Sequence, residues 1–412
     1  MSMKSLMHVL IVAVLAGPVT LSCSKWNDPK EREDIVLTKV QQDILENGNV
    51  FAIDLFREMS RELGGKNLFI SPLSASLALS AVTNGASGPT LEDMKATLGF
   101  ESFSMADMNG FYKHLVPALK KVDNTVNLLV ANAVWIEQTF PVKSPFISAL
   151  QSYYEASVNK LDFRDPSAPG VINKWCADNT NNLIRKVIDE IQADYMLLYT
   201  NALYFKGKWK NTFDKEVSWQ GSFQSLSGTT RTVTYMEQTE DFRYTRGNKV
   251  SVAEIPYGNQ AYSMIIVLPD TGISVMDVAT SLTWDQWKGW INGLSAAELN
   301  LRIPRFELEF DSEEYMIPVL TRMGMGSAFD PSRADFINIS DIPLFIDLLK
   351  QNTYIKVDEE GTEAAAVTTI GFRLTSAGPG QTIPFHADRP FLYFIREQST
   401  GTILFAGLMA DV

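Results

Sequence analysis

The sequence predicts an α+β domain in which helices surround a large, mainly antiparallel central sheet. Three observations predict it. Apolar residues recur at helical spacing through the first half of the chain, while the second half is a succession of short strand-like runs; helices followed by strands indicate α+β rather than alternating α/β. No Pro-, Gly- or Ser-rich linker and no internal repeat divides the 412 residues, so residues 35–412 read as one domain. Apolar side chains make up 45% of the sequence, ample for a sizeable core.

In chain order, Phe51, Leu55, Met59 and Leu63 mark one face of a helix that stops at Gly64-Gly65. Asn67-Leu68-Phe69-Ile70 is a short strand. Ser71 then supplies an N-cap and Pro72 the first helical residue for a helix over 73–83, closed by Asn84-Gly85. Thr90, with Asp93 three residues on, reads as the cap of another helix that ends at Gly99. From Asn127 the period shortens to that of a strand through Ile136, and helical patterns return over 145–156 and 171–188. Strands are predicted over 196–205, 229–236, 250–255, 262–268, 298–310, 391–396 and 402–407. Trp284, Trp287 and Trp290 fall at helical spacing and read as packing residues rather than a ligand cage.

The N-terminus reads as an export signal. Lys4 precedes an apolar run over 9–15, with Gly17 and Ser22 as small residues before Cys23. The run is too short to span a bilayer, which takes about 20 apolar residues. Thr20-Leu21-Ser22-Cys23 is an imperfect lipobox, with Thr20 where Leu is commoner. Two expectations follow for residues 1–22: lipidation at Cys23, giving an outer-membrane, cell-surface or periplasmic lipoprotein, or cleavage nearby and plain secretion. Residues 23–34 are then a polar tether.

Composition and motifs narrow the chemistry. A net charge of −12 repels phosphate backbones, so nucleic acid is not an expected partner, and any membrane contact runs through the lipid anchor alone. With Cys23 lipidated, Cys176 has no partner in the chain, and no disulfide framework is expected. The three histidines are His8 in the signal, His114 in the helical stretch Phe111-Tyr112-Lys113-His114-Leu115, and His386. None accompanies a G-x-S-x-G elbow or an H-E-x-x-H motif, and the single S-x-x-K match, Ser157 with Lys160, is a pattern short enough to arise by chance. The chain reads as a monomer without cofactor or metal, and not as an enzyme.

Residues 357–373 read VDEEGTEAAAVTTIGFR, a strand where a loop is due. The even set is Thr362, Ala364, Ala366, Thr368, Ile370 and Phe372; the odd set, Glu363, Ala365, Val367, Thr369, Gly371 and Arg373, carries both charges. An uncharged face of mostly small residues lets a segment slide between two existing strands. Gly361, just before it, takes backbone angles closed to other residues. Residues 375–384, with Gly378, Pro379 and Gly380, cannot continue a strand and form an exposed tip. An ordinary edge strand followed by a loop would carry the same periodicity.

The next segment decides between them. Glu359-Glu360-Gly361-Thr362-Glu363-Ala364-Ala365-Ala366, followed by Phe385-His386-Ala387-Asp388-Arg389-Pro390-Phe391, resembles the serpins, in which such a hinge, a reactive loop and an F-x-x-D-R-P-F element occur in this order. The resemblance extends from about residue 36 to the C-terminus. Asn67-Leu68-Phe69-Ile70-Ser71-Pro72-Leu73-Ser74 is similar to the family's strand-to-helix segment under the central sheet. Asn201-Ala202-Leu203-Tyr204-Phe205-Lys206-Gly207-Lys208-Trp209 is similar to the strand leading to the loop's point of entry.

The resemblance implies a reactive loop at about 358–384, with Glu359, Gly361, Thr362, Ala364, Ala365 and Ala366 as its hinge. It implies a shutter at Ser71, Ser74 and Asn201, and Trp209 in the breach above it. Gln351 stands where serpins often carry a His; an amide does not titrate near neutrality, so no His-driven pH response is expected. The implied function is suicide-substrate inhibition of serine proteases, and of cysteine proteases as fellow acyl-enzyme formers. Counting Gly361 as fifteenth before the cut places the reactive bond at Thr375-Ser376, suited to elastase-like or subtilisin-like enzymes. The tip over 376–389 is a few residues longer than usual, so Leu374-Thr375 and Arg373-Leu374 stay open. Two other readings also stand: a non-inhibitory serpin acting as a binding or carrier protein, and a surface lipoprotein with no protease partner.

Overall fold

The computed structural model describes residues 31–362 and 382–412. Local sequence rules account for most helix ends. Helix Lys39–Leu63 opens on a reciprocal cap between Thr38 and Gln41 and closes where Gly64 turns left-handed at φ 60°. Helix Pro72–Thr83 starts as read, with Ser71 accepting from the backbone N–H of Ser74. Thr90 is not a cap: helix Gly88–Leu98 begins after Ser87, and the Thr90 hydroxyl accepts from the backbone of Asp335 instead. The helical pattern over 171–188 is cut short, because helix Ala168–Asn179 ends before Asn181 and Asn182, both at positive φ. Among the described residues no helix is long and apolar enough to cross a membrane.

The strands form two sheets rather than a single central one. The larger, of nine strands, runs Leu68–Ile70, Ile403–Met409, Phe391–Glu397, Tyr262–Pro269, Val250–Pro256, Thr230–Gly247, Ser295–Pro304, Ile383–His386, with Trp219–Gln224 paired beside Thr230–Gly247. The smaller, of six, runs Phe306–Asp311, Asn352–Asp358, Gly361–Thr362, Leu197–Lys208, Asn127–Glu137, Ser157–Leu161. Both are antiparallel except for one pair each: Ile383–His386 beside Ser295–Pro304, and Asn127–Glu137 beside Ser157–Leu161. The predicted strand over 298–310 is in fact two, broken at Arg305 so that its halves enter different sheets. The run read as 375–384 ends inside a strand, because Pro384 sits on a sheet edge where its missing N–H costs no ladder bond.

Aromatic side chains join the two sheets. Phe306 lies 5.2 Å from Tyr393 and Phe205 reaches Phe405 at 6.5 Å, while Phe405 stacks on Phe69 within the larger sheet with centroids 5.1 Å apart. Trp287, from the tryptophan row, packs on Phe394 at 4.6 Å and is buried, as the packing reading expects. A second cluster, including Trp135, Phe163, Ile172 and Ile188, seats helix Ala168–Asn179 over the smaller sheet. Ser157 and Lys160 are three residues apart on an edge strand, so their side chains leave opposite faces and form no dyad.

Candidate functional site

Among the described residues, the smaller sheet is filled at one end by a short central strand and bordered by a cleft toward the other. Strand Asn352–Asp358 turns through Glu359-Glu360 into Gly361–Thr362, which pairs back through Val357↔Thr362 and Asp358↔Gly361. The same two residues pair on their other side through Gly361↔Lys208 and Thr362↔Gly207, so they already form a strand between two strands. Gly361 has φ 152°, and a Cβ there would stand 2.1 Å from the Gly207 carbonyl oxygen. Its requirement for glycine is thus both torsional and steric. Thr362 is buried, with its hydroxyl 2.7 Å from that of Tyr257, which agrees with the inward face read for the even-numbered residues.

The turn above this pair is anchored by charge. Glu359 is buried and takes Arg305 Nε at 2.7 Å together with the Ser218 hydroxyl, while its carbonyl accepts from Phe213 N at 2.8 Å. Glu360 pairs with Lys215, and its carbonyl accepts from Trp209 N at 2.8 Å. Trp209 donates its indole N–H to the Asp358 carbonyl at 2.9 Å and stacks on Tyr257 with centroids 4.5 Å apart. Burial opposes ionisation of Glu359, but Arg305 and Ser218 outweigh it and hold the carboxyl below its ordinary range. Glu359 therefore pins the turn that precedes Gly361, and Trp209 holds the same turn from the neighbouring strand.

Below Thr362 lies a cleft of about 510 Å³. Residues 194–202 form one wall, and residues 342–352 face them across it. Asn201 and Gln351 stand on these two walls. Asn201 accepts from the Ser74 hydroxyl and donates at 2.7 Å to Asn132 Oδ1, which also accepts from Tyr199 OH at 2.9 Å. Gln351 takes both backbone groups of Ser71: its Oε1 accepts from Ser71 N at 2.7 Å and its Nε2 donates to Ser71 O at 2.9 Å. The Ser71 hydroxyl donates to Leu404 O at 2.7 Å, so this residue ties the helix start to the larger sheet as well as capping it. Cys176 lines the same cleft, with burial pushing its thiol up to about 12.

The structure thus brings Ser74, Asn201 and Gln351 to the cleft, with Ser71 held behind Gln351, and gathers Trp209, Glu359, Gly361 and Thr362 at the paired end of the same sheet. Ala364, Ala365, Ala366, Arg373, Leu374, Thr375, Ser376 and Cys23 lie outside the described residues. Sequence reading missed Asn132, Ser218, Tyr257 and Arg305. Asn132 left a signal, a lone amide in the apolar strand Asn127–Glu137; the others are fixed by partners far away in the chain.

Comparison with known proteins agrees with this geometry. The family model described as serpin (serine protease inhibitor) matches residues 46–412. The chain is 33% identical over 373 residues to leukocyte elastase inhibitor of Equus caballus, covering 87% of this chain and 96% of that one. Its structure is similar to that of tengpin, a thermophilic serpin in the native state, with a TM-score of 0.81 at 29% identity over 93% of this chain and 97% of the other. It is also similar to human thyroxine-binding globulin, with a TM-score of 0.81 at 25% identity over 90% and 99% of the two chains. With the family model matching residues 46–412, the chain belongs to the serpin family.

Proposed function

We propose that the chain is a suicide-substrate inhibitor of serine proteases with elastase-like or subtilisin-like preference, reaching cysteine proteases by the same acyl chemistry. One observation carries the reading: Gly361–Thr362 are paired on both sides, and among the described residues a cleft continues beyond them between 194–202 and 342–352. Extended in the same register, Thr368 would fall opposite both Asn201 and Gln351. Residue 375 would fall opposite Asp194 and Leu344, near the far end of the cleft. Leu374 and Arg373 would fall opposite lining residues in the same way, so the cut is placed at Thr375-Ser376 by the count from Gly361, with Leu374-Thr375 and Arg373-Leu374 as alternatives.

In this mechanism the protease serine attacks the Thr375 carbonyl, the bond to the Ser376 nitrogen breaks, and an ester joins the two proteins. The freed strand then enters the cleft before water can hydrolyse the ester. This is strand addition to an open sheet, a mode for which serpin loop insertion is itself a standing example. Fourteen residues at about 3.3 Å each carry the protease some 45 Å. Each new backbone hydrogen bond contributes about 1 kcal/mol net, so a dozen or more rival the ~5–15 kcal/mol that hold a protease domain folded. A shift of catalytic atoms by about 1 Å already costs on the order of a hundredfold in rate, so deacylation stalls.

The test is a charge on the inward face. Thr362→Arg and Ala364→Asp should convert the inhibitor into a substrate, raising several-fold the moles of protein cleaved per mole of protease inactivated. Stable complexes at wild-type yield from either variant would refute insertion. Export through residues 1–22 belongs to the same proposal, and loss of palmitate labelling in Cys23→Ser would mark Cys23 as the lipidated residue.

A cavity favours the carrier reading as the second. It measures about 380 Å³, lies between helices Lys39–Leu63 and Trp284–Gly293, and is lined by Trp284, Trp287, Lys288, Ile291 and Arg396 among others. That is within the size range of small-ligand pockets. The uncharged even face of 362–372 favours the inhibitor, since a carrier has no need of it.

A further inference from the structure

The strand that leaves the reactive loop carries an ordered surface beside it. Ile383–His386 runs along Ser295–Pro304, which pairs with Thr230–Gly247 and, beyond it, Trp219–Gln224. The register sets Glu237, Arg302 and His386 in one row on the outer face. Trp219 stands at its end, 40% exposed, with the Arg302 guanidinium 4.7 Å over its ring. Glu237 accepts from the Trp219 indole N–H at 3.1 Å, from Arg302 Nε at 3.1 Å and from Asn300 Nδ2 at 2.9 Å; Asn300 Oδ1 meets His386 Nε2 at 2.7 Å. Each side chain in the row is held by its neighbours before any partner arrives.

We propose that this face is a second contact surface for the protease that attacks the loop, with Trp219 and Arg302 as its anchors. The inference rests on the inhibitory reading and adds where the partner's body sits. Reach supports it. From Ser376 to Thr382 is six residues, at most about 21 Å of chain, and the Thr382 hydroxyl is bonded to Glu298 on the same face. Three strand spacings of about 4.8 Å separate Ile383–His386 from Trp219–Gln224, so Trp219 lies within the footprint of a domain whose radius of gyration is about 17 Å. Chemistry supports it too, because Trp and Arg dominate interface energetics, and a pre-ordered pair loses little entropy on binding. The net charge of −12 fits a cationic protease, steered by opposite charge.

The experiment compares Trp219→Ala and Arg302→Lys with wild type against a cationic elastase at low and high salt. Expected are an association rate constant at least tenfold lower for Trp219→Ala, severalfold lower for Arg302→Lys, and a wild-type rate that falls with salt, at unchanged stoichiometry of inhibition and unfolding temperature. Rates within twofold of wild type for both variants overturn the proposal. So does self-association of the wild type that Trp219→Ala abolishes, since a second copy would then own the surface. Should the wild type form no covalent complex, the inhibitory reading fails separately. Binding to elastase with its active-site serine replaced by alanine then decides: weaker binding by both variants supports the surface, and equal binding overturns it.

Discussion

At the scale of single residues, the hinge root is an acid-sensitive anchor. A carboxyl whose folded-state pKa is lowered, as that of Glu359 is, contributes stability above its unfolded-state pKa; that contribution is lost as pH falls through the folded value. The amides of Phe213 and Trp209, which donate to the Glu359 and Glu360 carbonyls, should therefore stay protected from exchange at neutral pH and lose protection only below the ordinary carboxylate range, about pH 4. Arg305→Ala should move that loss to higher pH; unchanged protection would contradict the anchoring role. Gly361→Ala forces a Cβ toward the Gly207 carbonyl at a strained φ, at a cost of about 1–3 kcal/mol, and should expel Thr362 from the sheet. Loss of exchange protection at the Thr362 amide, with a fall in trapping yield, is the expected readout. Gln351 holds Ser71 through an amide that does not titrate, so wild-type trapping should be flat from pH 5 to 8, whereas Gln351→His should bring in a dependence centred near about 6.5.

At the scale of elements, Ser74, Asn132, Tyr199 and Asn201 form a hydrogen-bonded junction of strand, strand and helix. Asn132→Ala would remove the acceptor shared by Asn201 and Tyr199 at a cost of about 1–3 kcal/mol. Thermal unfolding should register that loss, together with faster conversion to an uninhibitory form on warming. Local signals made much of this architecture legible in the sequence. Ser71-Pro72 wrote a helix start, Gly64 a helix stop, and the even-odd alternation the inward side of Thr362. What stayed hidden is set by distance. Nothing near Glu359 announces Arg305 or Ser218, and nothing in 298–310 announces that its two halves belong to different sheets. Thr90 and the 180–188 run misled for a related reason. Each satisfies a local helix rule, yet a partner at Asp335 and two left-handed asparagines take precedence.

At the scale of the molecule, the described part of the six-stranded sheet holds two residues of its third strand, beside neighbours of seven and twelve. On the proposed mechanism, cutting the loop is what lets that strand be completed. Cleavage near residue 375 should raise the unfolding temperature by well over 10 °C, while the same cut in Ala364→Asp should give a much smaller rise. The central claim is that acylation is followed by insertion faster than by hydrolysis. Its most direct test is to mix the mature protein with elastase, subtilisin, chymotrypsin and trypsin, then examine the products by denaturing electrophoresis and mass spectrometry. The account predicts a covalent band of summed mass with elastase or subtilisin, and a released C-terminal fragment that begins at Ser376. Cleavage within the loop with both proteins recovered separately would contradict it and leave a carrier or a plain substrate in its place.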